Sequence, residues 1–161
     1  MLHIDYANYE ALRAHGEETY PHECCGVLLG KSDAKGNHVK QIVRAGNTRT
    51  DSAHNRYNIA PQELVKIQRQ ARGLDIVGFY HSHPDHPAQW SATDFAEAHW
   101  MGCSYVITAV AKGKAEVTNS FLLTGSSEED KRFVDQAIEI DVKAAGAGVS
   151  AEEETELKGQ A

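Results

Sequence analysis

Ile76-Val77-Gly78-Phe79-Tyr80-His81-Ser82-His83-Pro84 is the stretch on which the reading of this chain turns. Ile76 to Tyr80 is an apolar run, the pattern of a β-strand buried on both faces. Side chains in a strand alternate faces, so residues two apart point the same way. His81 and His83 therefore aim at one point at the strand's C-terminal end. Asp94 follows His83 after a proline-rich loop, just inside a helix start. Two imidazoles and one carboxylate are a ligand set for catalytic zinc, with the fourth tetrahedral position left to water.

Each of these residues also has a plainer reading. His-x-His alone is a weak signal, and the later aspartate is what strengthens it. Ser91-Ala92-Thr93-Asp94 also has the form of a capping box, with Ser91 as N-cap and an acidic residue three later. Ser91 can serve both readings. For Asp94 they compete, because a carboxylate on a metal is not free to reach back to the cap. A general base must come from elsewhere, and Glu23 is the best candidate. It enters the apolar run Cys24-Cys25-Gly26-Val27-Leu28-Leu29-Gly30, where a carboxylate is costly unless solvated, paired or used. The alternative is an ordinary glutamate at a strand edge. Cys24 and Cys25 read as small hydrophobes. His86, in the loop Pro84-Asp85-His86-Pro87, lines the cleft rather than ligating. His3, His15, His22, His38, His54 and His99 have no usable partner spacing.

Outward from the motif, the chain alternates helices with strands. Met1–Ile4 reads as a short strand, and Asp5 caps a helix to about Thr19, stopped by Tyr20-Pro21. Cys24–Leu29 and His38–Arg44 form a hairpin around a Gly36-Asn37 turn. Residues 45–56 read as a polar loop and Arg56–Ala60 as a brief strand. Pro61 opens a helix to about Arg72. After the motif strand 75–81, a helix is expected from Ala92 to Met101, closed by Gly102, then strands Tyr105–Ala111 and Glu116–Leu123. Lys131–Val142 fits a strand or a helix. Residues 143–161, rich in Ala, Gly and Glu, bury little and read as a flexible acidic tail. Hairpins mixed with helices suggest a mixed α/β sandwich rather than a parallel sheet.

At 161 residues the chain is one domain with room for a real core. Its apolar content is 41% and its charged content 24%, an ordinary globular composition. No apolar run approaches a membrane span, and the N-terminus lacks the pattern of a signal peptide. A cytoplasmic protein is expected, with no membrane partner. The formal net charge of −7 argues against a nucleic-acid surface. Three cysteines, two of them adjacent, do not suit a disulfide framework.

With Glu23, His81-Ser82-His83-Pro84, Ser91 and Asp94 in this order, the chain resembles the JAMM (MPN+) metallopeptidases, in a small prokaryotic form. Their signature is a distant Glu, His-Ser/Thr-His-Pro and then Ser-x-x-Asp. Residues 21–30, Asn47 and residues 56–61 add further similarity, and the resemblance covers residues 1–125. Beyond it lie a strand or helix over 126–142 and the tail. The resemblance implies a single-domain cytidine-deaminase-like α/β/α sandwich with a mixed β-sheet, and one catalytic zinc. It also implies hydrolysis after the C-terminal Gly-Gly of a ubiquitin-like or sulfur-carrier protein. His81, His83 and Asp94 would hold the zinc, Glu23 would act as general acid/base, and Ser91 would stabilise the oxyanion. Ser82 would support the motif loop, and Trp90 would wall the cleft against the Gly-Gly tail or merely pack.

The chain has no room for the long insertions with which eukaryotic deubiquitinases read linkages, so a prokaryotic-type enzyme on sulfur-carrier proteins fits better. A short tail, a lysine-linked target or a cysteine could be the leaving group. The alternative function is a catalytically silent MPN-type binding module. A zinc deaminase would need His-x-Glu and Pro-Cys-x-x-Cys, and neither occurs. A homodimer is compatible with the sequence.

Overall fold

A computed structural model describes residues 1–46 and 59–142. Asn47, the brief strand expected from Arg56, and the tail 143–161 lie outside the described residues, wholly or in part. Among the described residues eight strands and three helices follow in the order β1 (Leu2–Asp5), α1 (Tyr6–Thr19), β2 (Cys25–Asp33), β3 (Gly36–Ala45), α2 (Pro61–Gln70), β4 (Asp75–Pro84), α3 (Ala92–Ala96), β5 (Ser104–Ala111), β6 (Lys114–Thr124), β7 (Arg132–Gln136) and β8 (Ile138–Asp141). All strands belong to one sheet in the order β7-β6-β5-β4-β2-β3-β1-β8. β4 runs parallel to β5 and antiparallel to β2, so the sheet is mixed.

The alternation of side chains across the sheet builds two cores. Leu28, Val77, Tyr80 and Val106 meet Leu12 of α1 on one face. Val27, Leu29, Phe79 and Tyr105 meet Ile67 of α2 and Ala98 on the other. Helices on both faces make the α/β/α sandwich with a mixed sheet that the family resemblance implies. Asp5 caps α1, its side chain accepting from Asn8 N at 2.7 Å, and Pro61 stands in the first turn of α2. No helix among the described residues is long and apolar enough to cross a membrane.

Residues 132–141, where the pattern allows strand or helix, are two strands. Only Ala137 separates them, yet β7 pairs with β6 at one edge and β8 pairs with β1 at the other. One continuous segment thus joins the two edges, and the sheet must curl for this to happen. Leu2 N donates to Ala137 O at 2.9 Å at the junction.

Two local expectations are corrected. The hairpin turn is not at Gly36-Asn37, because β3 already begins there. Asp33 Oδ1 accepts from Lys35 N at 2.8 Å, and the chain turns at Ala34-Lys35, two residues earlier. Gly36 takes φ +125, which suits glycine. Asn37 is then buried, and its Nδ2 reaches Ser104 Oγ at 2.8 Å and Gly102 O at 3.1 Å. The helix expected over Ala92–Met101 stops at Ala96. The Ala98 carbonyl beyond it is taken by a lysine from elsewhere in the chain, and Trp100 N turns to the Tyr105 hydroxyl at 3.2 Å.

Candidate metal centre and cleft

β4 is central in the sheet, and its C-terminal end carries both histidines. The register with β2 then determines what faces them. Cys25 pairs with His81 in an antiparallel ladder, so two residues back from Cys25 and two on from His81 reach the same place. Those residues are Glu23 and His83. One donor atom from each of Glu23, His81 and His83 lies within 4.8 Å of the others.

Asp94 approaches from the crossover between β4 and β5. Its Oδ1 is 3.2 Å from His81 Nε2, and its Oδ2 is 3.1 Å from His83 Nε2. The two Nε2 atoms are themselves 3.2 Å apart. Asp94 is also the capping residue of α3. Ser91 N donates to Asp94 Oδ2 at 2.9 Å, and Asp94 N donates to Ser91 Oγ at 3.0 Å. The expected competition between capping and facing the histidines does not arise, because a carboxylate has about four lone-pair sites and can do both. The capping box instead aims the side chain.

The donor set fits a divalent cation. His83 Nδ1 lies 2.8 Å from Pro87 O. A carbonyl can only accept, so Nδ1 carries a proton, and in the neutral ring the lone pair of Nε2 then faces Asp94. A lone pair and a carboxylate oxygen repel at this distance unless a proton or a metal ion lies between them. The Pro87 carbonyl is the outer partner that commonly orients a ligating histidine.

Electrostatics follow burial and this convergence. Burial lowers the His81 pKa, since desolvation penalises the charged ring. Burial also opposes the charges of His83 and Asp94, but hydrogen bonding outweighs it, from His81 and then His83 for Asp94, and from Asp94 and then the Pro87 carbonyl for His83. His83 is raised, and Asp94 is held far below the usual carboxylate range. Glu23 is 3% exposed, and burial pushes its carboxyl up to about 8, with His83 opposing and Asp94 adding to the rise.

Glu23, His83, His86, Trp90 and Ser91 line a cleft of about 350 Å³. His86 is at the cleft wall and outside the donor group. Trp90 both lines the cleft and packs, with ring centroids 5.5 Å from Phe95 and 5.4 Å from Phe133. Ser82 is fully buried, and its Oγ accepts from Cys24 N at 2.9 Å, tying the motif strand to the residue after Glu23. Cys24 and Cys25 are buried free thiols whose pKa values burial raises, as small hydrophobes would be. Four other histidines have mundane partners: His15 meets the Tyr80 hydroxyl, His3 stacks on His38, and His99 pairs with Glu128.

Two contributors escape a sequence reading. Asp85 accepts from the Tyr20 hydroxyl at 2.6 Å and from Lys112 N at 2.9 Å, linking the loop after His83 to the approach to Glu23. Phe133 of β7 supports Trp90 and Phe95. No spacing signals either, because both depend on elements far apart in the chain.

The chain is 41% identical over 91 residues to the desampylase of Haloferax volcanii, across 54% of this chain and 62% of that protein, less than two thirds of its length. It is 30% identical over 109 residues to a probable TtuB-protein conjugate cleaving protease of Thermus thermophilus, across 66% of this chain and 69% of that protein. A solution structure of a Desulfitobacterium hafniense protein superposes with a TM-score of 0.75 at 26% identity, across 88% of this chain and 94% of the other. Residues 6–124 match the family described as prokaryotic homologs of the JAB domain, and the chain belongs to that JAMM-type family.

Proposed function

We propose that the protein is a zinc-dependent isopeptidase that hydrolyses the bond after the C-terminal Gly-Gly of a ubiquitin-like or sulfur-carrier protein. The observation that carries this reading is the convergence of His81, His83 and Asp94 beside a buried Glu23 that opens into a cleft. The two named relatives, a desampylase and a conjugate-cleaving protease, support the substrate class.

His81, His83 and Asp94 would hold the zinc, which when bound acts as a Lewis acid on the scissile carbonyl and on water. Glu23 removes a proton from the attacking water and returns it to the leaving amine. A buried carboxylate at the cleft, beside the two histidines, is placed to do both. Ser91 Oγ already accepts from Asp94 N, which leaves its O–H to donate to the oxyanion. Ser91 is exposed to the cleft, so a substrate can reach it. Trp90 and Pro87 line the cleft that would receive the extended Gly-Gly tail.

The test is a mass-spectrometric cleavage assay on Gly-Gly-ended carriers bearing a cysteine, a short tail or a lysine-linked peptide. Each is run with zinc, with chelator and with Glu23→Gln. Zinc-dependent cleavage after Gly-Gly that Glu23→Gln abolishes, while still binding zinc, is the expected result and names the leaving group. Full turnover in Glu23→Gln would remove Glu23 as the base. Stoichiometric zinc with no cleavage of any substrate would favour a binding module.

A further inference from the structure

We infer that Lys131 is a positioning residue for the metal centre, holding from its C-terminal side the one-turn helix that carries Asp94. This rests on the reading that His81, His83 and Asp94 hold a divalent metal. The five residues of α3 are far too few to be helical on their own. The N-terminal end is satisfied by the reciprocal bonds of Ser91 and Asp94. The C-terminal carbonyls need partners of their own.

Phe95 O accepts from Ala98 N at 3.2 Å, and Lys131 adds a side-chain donor from the connection between β6 and β7. Its Nζ donates to Phe95 O and Ala98 O, each at 2.9 Å, and lies 3.4 Å from Ala96 O. It also pairs with Glu128 at 2.8 Å and sits 4.9 Å from the centroid of the Phe95 ring. The side chain is only 6% exposed. An ammonium here complements the negative end of the helix, and the dry surroundings strengthen each bond. Asp94 belongs to the same single turn as Phe95 and Ala96. Fraying at one end of so short a helix is therefore movement of the carboxylate at the other, and a metal site tolerates only about half an ångström of misplacement. Lys131 lies beyond residues 6–124, so a residue outside the shared family segment completes the centre.

The experiment uses the full chain with Lys131→Met, with Glu128→Gln as control. Zinc affinity is measured by competition with a chromophoric chelator, and the cobalt-substituted protein is read by its d–d absorption. Lys131→Met is expected to bind zinc about 10–100-fold more weakly, the usual cost of losing support behind a ligand, with an altered cobalt spectrum. The apoprotein should remain folded by circular dichroism. Glu128→Gln leaves the three carbonyl contacts in place and should bind zinc like wild type. If Lys131→Met does not fold, Lys131→Gln, which keeps one amide donor, is read the same way. Wild-type affinity and spectrum in the folded variant would overturn the inference alone. A wild-type protein that binds neither metal would overturn the metal reading and this inference with it.

Discussion

Ser91 shows how much one side chain carries at this centre. Its hydroxyl caps α3 by accepting from Asp94 N, and in the proposed reaction it donates to the oxyanion. Ser91→Ala should therefore lose on both counts: about 1 kcal/mol of stability for the cap and about 10²–10³ in kcat for the oxyanion donor. Thermal unfolding and steady-state kinetics on the same preparation check the two separately. An unchanged kcat would leave Ser91 a cap only. Ser82 is the opposite case, buried and away from substrate. Ser82→Ala leaves Cys24 N without its partner and should cost about 1–3 kcal/mol, read as a lower urea midpoint. Both serines were legible as part of the motif. The bond from Ser82 to Cys24 was not, since it joins positions far apart in the chain.

At the scale of elements, β4 was the most legible piece and α3 the least. The apolar run into His81 places β4 inside the sheet, flanked by β2 and β5. That tight flanking makes Gly78 a sensitive position: a Cβ there would sit 2.2 Å from the Ser104 carbonyl oxygen of β5. Gly78→Ala must push β5 away from the strand that carries both histidines. A loss above about 2 kcal/mol in chemical denaturation is expected, and a wild-type midpoint would mean the strands part without cost. The pattern over Ala92–Met101 continued to read as helix because nothing local stops it before Gly102. Lys131 and Tyr105, which bond Ala98 O and Trp100 N beyond Ala96, come from outside that stretch.

For the whole molecule, the curled sheet buries groups that then respond to pH. His15 of α1 is buried against Tyr80, its Nδ1 2.8 Å from the hydroxyl. Burial, with Arg44 adding, lowers its pKa from 6.5 to about 4. The folded chain thus keeps His15 neutral where the unfolded chain protonates it. Its contribution to stability is present above pH 6.5 and is lost as pH falls toward 4, at up to about 1.4 kcal/mol per unit. His15→Gln, which can still meet the Tyr80 hydroxyl, should flatten the fall in urea midpoint between pH 7 and pH 4.5. An equal fall in both proteins would locate the acid sensitivity elsewhere. Metal binding should act on the same global equilibrium. Zinc at 1,000 times its Kd would add about 4 kcal/mol, and chelator should lower the melting temperature accordingly.

Sequence alone determined what is periodic or contiguous. The buried strand with two histidines on one side of its end, the helix after Asp5, the helix after Pro61 and the Ser-x-x-Asp cap are all local patterns. The order Glu23, His81-Ser82-His83-Pro84, Ser91, Asp94 carried the family resemblance. What tertiary structure decided is what depends on register and closure. The pairing of Cys25 with His81 brings Glu23 beside His83, and a shift of one residue would have turned it to the other face. The segment around Ala137 takes two strands to opposite edges and bends the sheet, and the β7 end of that segment sets Phe133 against Trp90 and Lys131 against α3. Long-range pairing leaves no periodic mark in a single chain, because its energy comes from burying two distant segments against each other.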